Sequence, residues 1–363
     1  MVRVLHVLNG LGHGGAESFI MNVYRKIDRD KVQFDFLLRS DKNREDLIEE
    51  IENYGGKIYI VSPFSQQIIK NYKDTKMFFK KYKYDVIHVH ANSLFYLLPL
   101  KLAKKYKIPC RIMHSHNTQA LHPIVTMIHK LNKHRIYKLA TNYIACGQSA
   151  GRWMFHRNYK LISNAIDLDK FKYNEKVRNH IRKQLHIENN FVVGHIGRFT
   201  KQKNHKMLIH IFKEIHQLNE SAKLLLVGDG ELFKDIQSLV SHYKLDNSVI
   251  FLGGQEHIAD LLQAMDVFIF PSLYEGVPIT LLEVQANGLP SVISDQISKE
   301  VIVGKNIKVK SLLEKPEQWA KDVLTFQVKR DEDTYDLLKK SKYNIENTVK
   351  ILENMYIGGC SNA

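Results

Sequence analysis

Residues 274 to 283 read YEGVPITLLE, a segment that sets two carboxylates, Glu275 and Glu283, on either side of Gly276-Val277-Pro278, directly after the apolar run VFIFPS. The fixed φ of Pro278 suits a first helical turn. A helix opening there turns the amides of Val277, Ile279 and Thr280 toward an anion. A carboxylate in a first turn is common because the helix dipole favours it, so two glutamates alone do not define a site. Upstream, GRFTKQKN at 197 to 204 puts Arg198 and Lys203 on one loop after an apolar run. They are either two solvated charges or a pair that grips one diphosphate. GDGE at 228 to 231, with Asp229, is a further glycine turn at a strand end. The three loops together describe one diphosphate-sized site.

A different chemistry is suggested near the N-terminus. NGLGHGGAES follows the first apolar run, and Gly10, Gly12 and Gly15 satisfy GxGxxG. That fingerprint also asks for an acidic residue at the end of the second strand, roughly 20 residues on. The strand ends LLRSD, with Arg39 in that place, which leaves an NADP-dependent oxidoreductase as the alternative reading.

These loops need rigid strands to hold them. VRVLHVLN, VQFDFLL, KIYIV, DVIHVH, CRIMHSH and NYIACG read as strands, separated by amphipathic segments such as AESFIMNVYRKI. A second series runs FVVGHIGRF, AKLLLVGDG, SVIFLGG, DVFIFPS and LPSVISD. Short apolar strands alternating with helices predict parallel sheets covered on both faces. At 363 residues the chain exceeds one core, so two Rossmann-like α/β domains are expected, 1–165 and 166–325. The hydrophilic remainder, 326–363, is expected to form C-terminal helices that pack back toward the first domain.

Composition narrows the classes. No apolar stretch approaches the roughly 18 residues of a membrane span, and LFYLLPL at 94 to 100 is interrupted by Pro99 and stops at Lys101. The opening MVRVLHVLNG lacks the pattern of a signal peptide, so a cytoplasmic location is expected. Cys110, Cys146 and Cys360 are widely spaced, which predicts free thiols and no zinc site. Of the basic excess of +15, all lies in residues 1 to 165, with 27 Lys and Arg against 12 Asp and Glu. From Val86 to Ile166 there is no acidic residue. Such a half suits solubility, an anionic membrane surface or nucleic acid. Aromatic stacking platforms for nucleic acid are not evident, so no nucleic-acid partner is expected. On MIHKLNKHRIYKLA at 127 to 140, Met127, Ile128, Leu131, Ile136 and Leu139 form an apolar stripe beside Lys130, Lys133, Arg135 and Lys138. A buried core helix has the same spacing.

Glu275 and Glu283 after an apolar strand, Gly197-Arg198 with Lys203 five residues on, GGAE at 14 to 17 and SNAID at 163 to 167 together resemble the retaining glycosyltransferases of family 4. The similarity is greatest to bacterial enzymes that build capsular or exopolysaccharide repeat units, and it runs from residue 1 to about 300. It implies a GT-B fold, two Rossmann-like domains facing each other across a nucleotide-sugar cleft. It also implies a UDP-sugar donor and a glycan acceptor, lipid-linked at the inner membrane face. By resemblance Arg198 and Lys203 bind the donor diphosphate, so no metal or other cofactor is required. Glu275 holds donor-sugar hydroxyls and Glu283 the nucleotide ribose. Gly14 and Gly15 belong to the loop that closes on the phosphates. His114, in HSHN, faces the reacting sugar, and His116 points to the same side of an extended chain. The donor also meets Asn164, Asp229, Gly276 and the 277–280 turn. Two positions depart from the pattern, Ala165 and Asn204, where glycine is usual.

Overall fold

The computed structural model describes the chain apart from residues 13, 41–42, 118–121, 256, 276, 327–328 and 359–363. The first sheet contains β1 (Val2–Leu8), β2 (Val32–Leu38), β3 (Ile58–Ile60), β4 (Val86–Ala91), β5 (Cys110–Ser115), β6 (Asn142–Ala145) and β7 (Lys160–Leu161). Its order is β3-β2-β1-β4-β5-β6-β7. The second contains β8 (Val192–Ile196), β9 (Lys223–Val227), β10 (Val249–Gly253), β11 (Val267–Phe270), β12 (Ser291–Ser294) and β13 (Ile307–Lys310), in the order β10-β9-β8-β11-β12-β13. All strand pairs are parallel. The central strands are near-continuous Val, Ile, Leu and Phe because a parallel sheet is covered on both faces. Thus Val4 and Leu8 enter one core while Leu5 and Val7 enter another, and in the second sheet Val192 and Val193 divide in the same way.

The chain forms two compact units, residues 1–165 with 345–363, and residues 166–344. The tail therefore divides. The Asp333–Lys339 helix stays with the second unit through Leu338. Only the Ile345–Ile357 helix joins the first, burying Ile345, Val349, Leu352, Met355 and Tyr356.

Strands β7 and β13 were absent from the sequence expectation. One has two residues, and the other, IKVK, carries two lysines on a sheet edge, where charge discourages further pairing. Cys146 is a buried free thiol, as expected, and Cys110 is fully buried at the start of β5. Cys360 lies outside the described residues. Among the described residues no helix is long and apolar enough to cross a membrane.

Two helices of the first unit bury polar residues and expose apolar ones, although the second also buries Phe78 and Phe79. Pro123–Asn132 buries His129 and Asn132, which are bonded to the backbone of Leu94 and Trp153, and exposes Ile124, Met127 and Leu131. Ile68–Lys81 buries Asn71, held by Ser62 and Tyr96, and Thr75, and exposes Ile68, Ile69, Tyr72 and Met77. The expected 127–140 helix is interrupted, ending at Asn132 and resuming as a short 3-10 turn at Ile136–Lys138.

Candidate functional site

In the second sheet β8 lies between β9 and β11, so successive connections leave it in opposite directions. Ligands of open α/β sheets bind at such a switch point, outside the carboxyl ends of the strands. The loops there are GRFTKQKN after β8 and PSLYEGVP after β11, the two that carry the candidate cations and carboxylates.

Backbone and amide contacts fasten one loop to the other. Leu273 N–H donates to the Gln202 carbonyl at 2.8 Å, the Gln202 amide to Tyr274 O at 3.0 Å, and the Asn204 amide to Pro271 O at 3.1 Å. Lys203 Nζ thereby lies 2.6 Å from Glu275 Oε1 and 4.4 Å from the centre of the Phe270 ring. The pair is largely enclosed, with side chains 16% and 9% exposed. Asn204 has φ 55° and ψ 45°, the left-handed region where glycine is cheapest and asparagine is tolerated. The departure from glycine at this position thus keeps the turn. Ala165 is buried and has no positive φ, so its substitution for glycine strains nothing.

A third loop locks to the first. Gly197 N–H donates to Val227 O at 2.9 Å, and Phe199 N–H to Asp229 O at 2.8 Å. Gly228 and Gly230 have φ of 138° and 156°. A Cβ on Gly228 would stand 2.2 Å from Gly197 O, and one on Gly230 2.6 Å from Phe199 O. Both glycines are required by that close approach. Arg198 projects from the interlocked turn, exposed and without a side-chain partner among the described residues.

The helix Ile279–Ala286 begins one residue later than expected, with Pro278 at its N-cap. Ile279 and Thr280 supply first-turn amides, which have no carbonyl a turn earlier to bond. Gly276 lies outside the described residues. Glu283 is on this helix among buried Leu281, Leu282 and Val284, and burial pushes its carboxyl up to about 7, countered in part by Lys170. Arg198, Lys203, Asp229, Glu275, Val277 to Thr280 and Glu283 therefore all belong to one end of one sheet.

The remaining candidates lie in the first unit. Gly14 caps the helix Gly15–Lys26, and a Cβ there would meet the Glu17 carboxylate at 2.2 Å. Asn164 is buried just before the chain leaves this unit. His114, expected to face the sugar, is fully buried; β5 alternates its residues between faces, and this face is covered by the Gly15–Lys26 helix through Phe19, whose ring is edge-on at 5.1 Å. His116, half-buried beyond the end of β5, is the more accessible of the two. Three further histidines, His6, His88 and His90, join them on the same face. Their signal was present as HVLN, VIHVH and MHSH, but only the strand register, His6 opposite His88 and His90 opposite His114, brings them together.

Arg39, on which the oxidoreductase reading depends, stacks on the Tyr96 ring at 4.3 Å, and burial lowers the pKa of its guanidinium. Comparison with known proteins removes that alternative. Residues 177–346 match the family model described as glycosyl transferases group 1, and residues 13–170 match glycosyltransferase family 4. EpsF of Bacillus subtilis, named a glycosyltransferase, is 33% identical over 381 residues, covering 98% of this chain and 96% of its own. The capsular polysaccharide biosynthesis glycosyltransferase CapH of Staphylococcus aureus is 24% identical over 371 residues, covering 98% and 99%. Among solved structures, Anabaena HepE in complex with UDP and glucose superposes with a TM-score of 0.79 at 18% identity, over 98% of this chain and 99% of that one.

Proposed function

The chain belongs to the family 4 glycosyltransferases of GT-B fold, and from that premise we propose that it moves a sugar from a UDP-sugar to a lipid-linked glycan acceptor with retention of anomeric configuration. The observation that carries the reading is the docking of the two switch-point loops, which sets Lys203 against Glu275. One is a cation for a diphosphate, the other an acceptor for sugar hydroxyls, and a nucleotide sugar presents those groups side by side. UDP is supported by the HepE complex, and a role in capsule or exopolysaccharide synthesis by the CapH likeness.

In this reading Arg198 and Lys203 hold the diphosphate, assisted by the amides of Ile279 and Thr280. Glu283 accepts hydrogen bonds from the ribose. As the sugar–phosphate bond breaks, negative charge grows on the leaving diphosphate, and the two cations oppose it in a partly enclosed place where electrostatic stabilisation is strong. They supply the charge a metal would otherwise bring. The sugar becomes oxocarbenium-like and the acceptor hydroxyl attacks from the face of the departing phosphate. Inversion would ask for a base across the ring, often a carboxylate, and residues 86 to 166 contain none.

The acceptor's lipid anchor calls for a membrane-facing surface, and the Pro123–Asn132 and Ile68–Lys81 helices supply it. Exposed Ile68, Ile69, Met77, Ile124, Met127 and Leu131 alternate with exposed Lys70, Lys73, Lys76, Lys130 and Lys138. Both helices bond to the same 92–97 loop, one through Asn71 to Tyr96 and the other through His129 to Leu94. Apolar side chains beside lysines on an outer face suit the anionic inner leaflet. Incubation with a panel of nucleotide sugars and a lipid-diphosphate glycan, with NMR of the product anomer, tests the whole reading: transfer from a UDP-sugar with retention is expected, and inversion or absence of transfer from every UDP-sugar would overturn it.

A further inference from the structure

The first sheet contains a group of histidines whose ring nitrogens converge. His90, His114 and His116 each offer one ring nitrogen within 4.8 Å of the others, at the carboxyl ends of β4 and β5. His114 Nε2 is buried and has no hydrogen-bond partner among the described residues. An orphaned buried nitrogen is costly, and native structures leave few of them.

We propose that His90, His114 and His116 bind one late transition-metal ion of the Zn2+ type, independently of the transfer reaction.

The hydrogen bonds around His90 and His114 fit this assignment atom by atom. If His90 ligates through Nδ1, its proton is on Nε2, and that nitrogen lies 3.0 Å from His6 Nδ1, an acceptor. If His114 ligates through its orphaned Nε2, its Nδ1 proton faces His88 Nε2 at 3.2 Å, and His88 Nδ1 in turn donates to Tyr356 Oη at 2.8 Å. Metal-bound histidines characteristically donate their second N–H in this way, which fixes tautomer and ring orientation. Here two of the three ligands already have such supports. His116 Nε2 lies 2.8 Å from His90 Nδ1, and tetrahedral coordination spreads two nitrogens to roughly 3.3 Å, so only this one contact has to open. Burial holds all three imidazoles well below their usual pKa, in the neutral form that ligates.

The neighbouring trio His6, His88 and His90 also converges, yet both nitrogens of His88 and of His90 are engaged there. An ion in that place would displace more bonds than it supplies. The trio with His116 has a partly exposed member at the strand end, the side from which an ion would enter. Three imidazoles suit Zn2+, Cu2+, Ni2+ or Fe2+ better than Mg2+ or Ca2+.

The test uses the full-length protein, stripped with a chelator, desalted and titrated with Co2+. One equivalent is expected to give the intense visible bands of four- or five-coordinate Co2+, bleached by one equivalent of Zn2+. His90→Gln and His114→Gln are expected to abolish the bands. His6→Gln, which keeps all three ligands and removes only the support of His90, is expected to weaken affinity about 10- to 100-fold. If the two core variants fail to fold by circular dichroism, His116→Gln, at the half-exposed strand end, replaces them and must likewise lose the bands. Absence of stoichiometric uptake by the wild-type chain overturns the proposal. So does full uptake by folded His116→Gln, or loss of uptake on changing His134, which is exposed and stacks on His156 at 5.2 Å.

Discussion

The two units repeat one arrangement and use it for opposite ends. In each, the first strand is flanked by the second and the fourth, and the chain reverses its progress across the sheet beside it. At that point the second unit exposes Arg198, pairs Lys203 with Glu275 and encloses Glu283. Its basic and acidic residues nearly balance, 25 against 24 over residues 166–344. At the same point the first unit has a glycine turn and uncharged histidines, and its charge is displaced to outer helices where lysines surround exposed Ile and Met. A strand order says where a ligand binds; the polar side chains in the loops say which one.

The largest effect expected on this comparison is at the second unit's loops. Each charge-assisted contact to phosphate contributes about 1.5–3 kcal/mol, so Arg198→Ala with Lys203→Ala together should lower kcat/KM by roughly 10²- to 10⁴-fold. Steady-state kinetics with the donor measures it, and an unchanged value would dissolve the distinction between the units.

Next comes the first unit's outer face. Lys130, Lys133, Arg135 and Lys138 near an anionic leaflet contribute about 1 kcal/mol each. Lys133 is half-buried and donates to Arg152 O at 3.2 Å, so the quadruple change to Gln should weaken vesicle binding by about 3 kcal/mol. Sedimentation with anionic vesicles should show the loss, with UDP affinity intact. Equal binding of the wild-type chain to neutral vesicles would give this face another purpose.

The smallest effect separates Glu283 from everything in the first unit. Its carboxyl is raised to about 7, and in the proposed role it would accept from ribose hydroxyls as the carboxylate, so UDP binding should release a proton. Affinity should rise about tenfold from pH 6 to pH 8, since one pKa unit corresponds to about 1.4 kcal/mol. Calorimetry of Glu283→Gln should give weaker, pH-independent binding; a slope that persists in the variant belongs to another group.

Much of the fold was legible because parallel strands covered on both faces write themselves as unbroken apolar runs, as in VFIF and LLLV. The cations and carboxylates of the second unit were legible too, each one following such a run. Lys203 meeting Glu275 was not, because docking of two loops 72 residues apart depends on Gln202 and Asn204 amides that carry no distinctive pattern. The histidine group was hidden for a similar reason, since register across β1, β4 and β5 decides it. On the Pro123–Asn132 helix, spacing alone fitted a core as well as a surface. His129 and Asn132, by claiming backbone partners inside, turn the apolar residues outward.

The Ile345–Ile357 helix has a consequence in time. It completes the apolar interior of a unit whose other residues are all within the first 165, so a chain leaving the ribosome finishes the second unit's sequence before the first can close. During the interval the first sheet lacks Val349, Leu352 and Tyr356, and His88 lacks its Tyr356 partner. Domains generally fold in the order of their synthesis, and exposed apolar surface invites aggregation. Here the order is partly reversed: the earlier-made unit waits on the final helix, and a release of the chain before residue 345 would strand a finished second unit on an unfinished first.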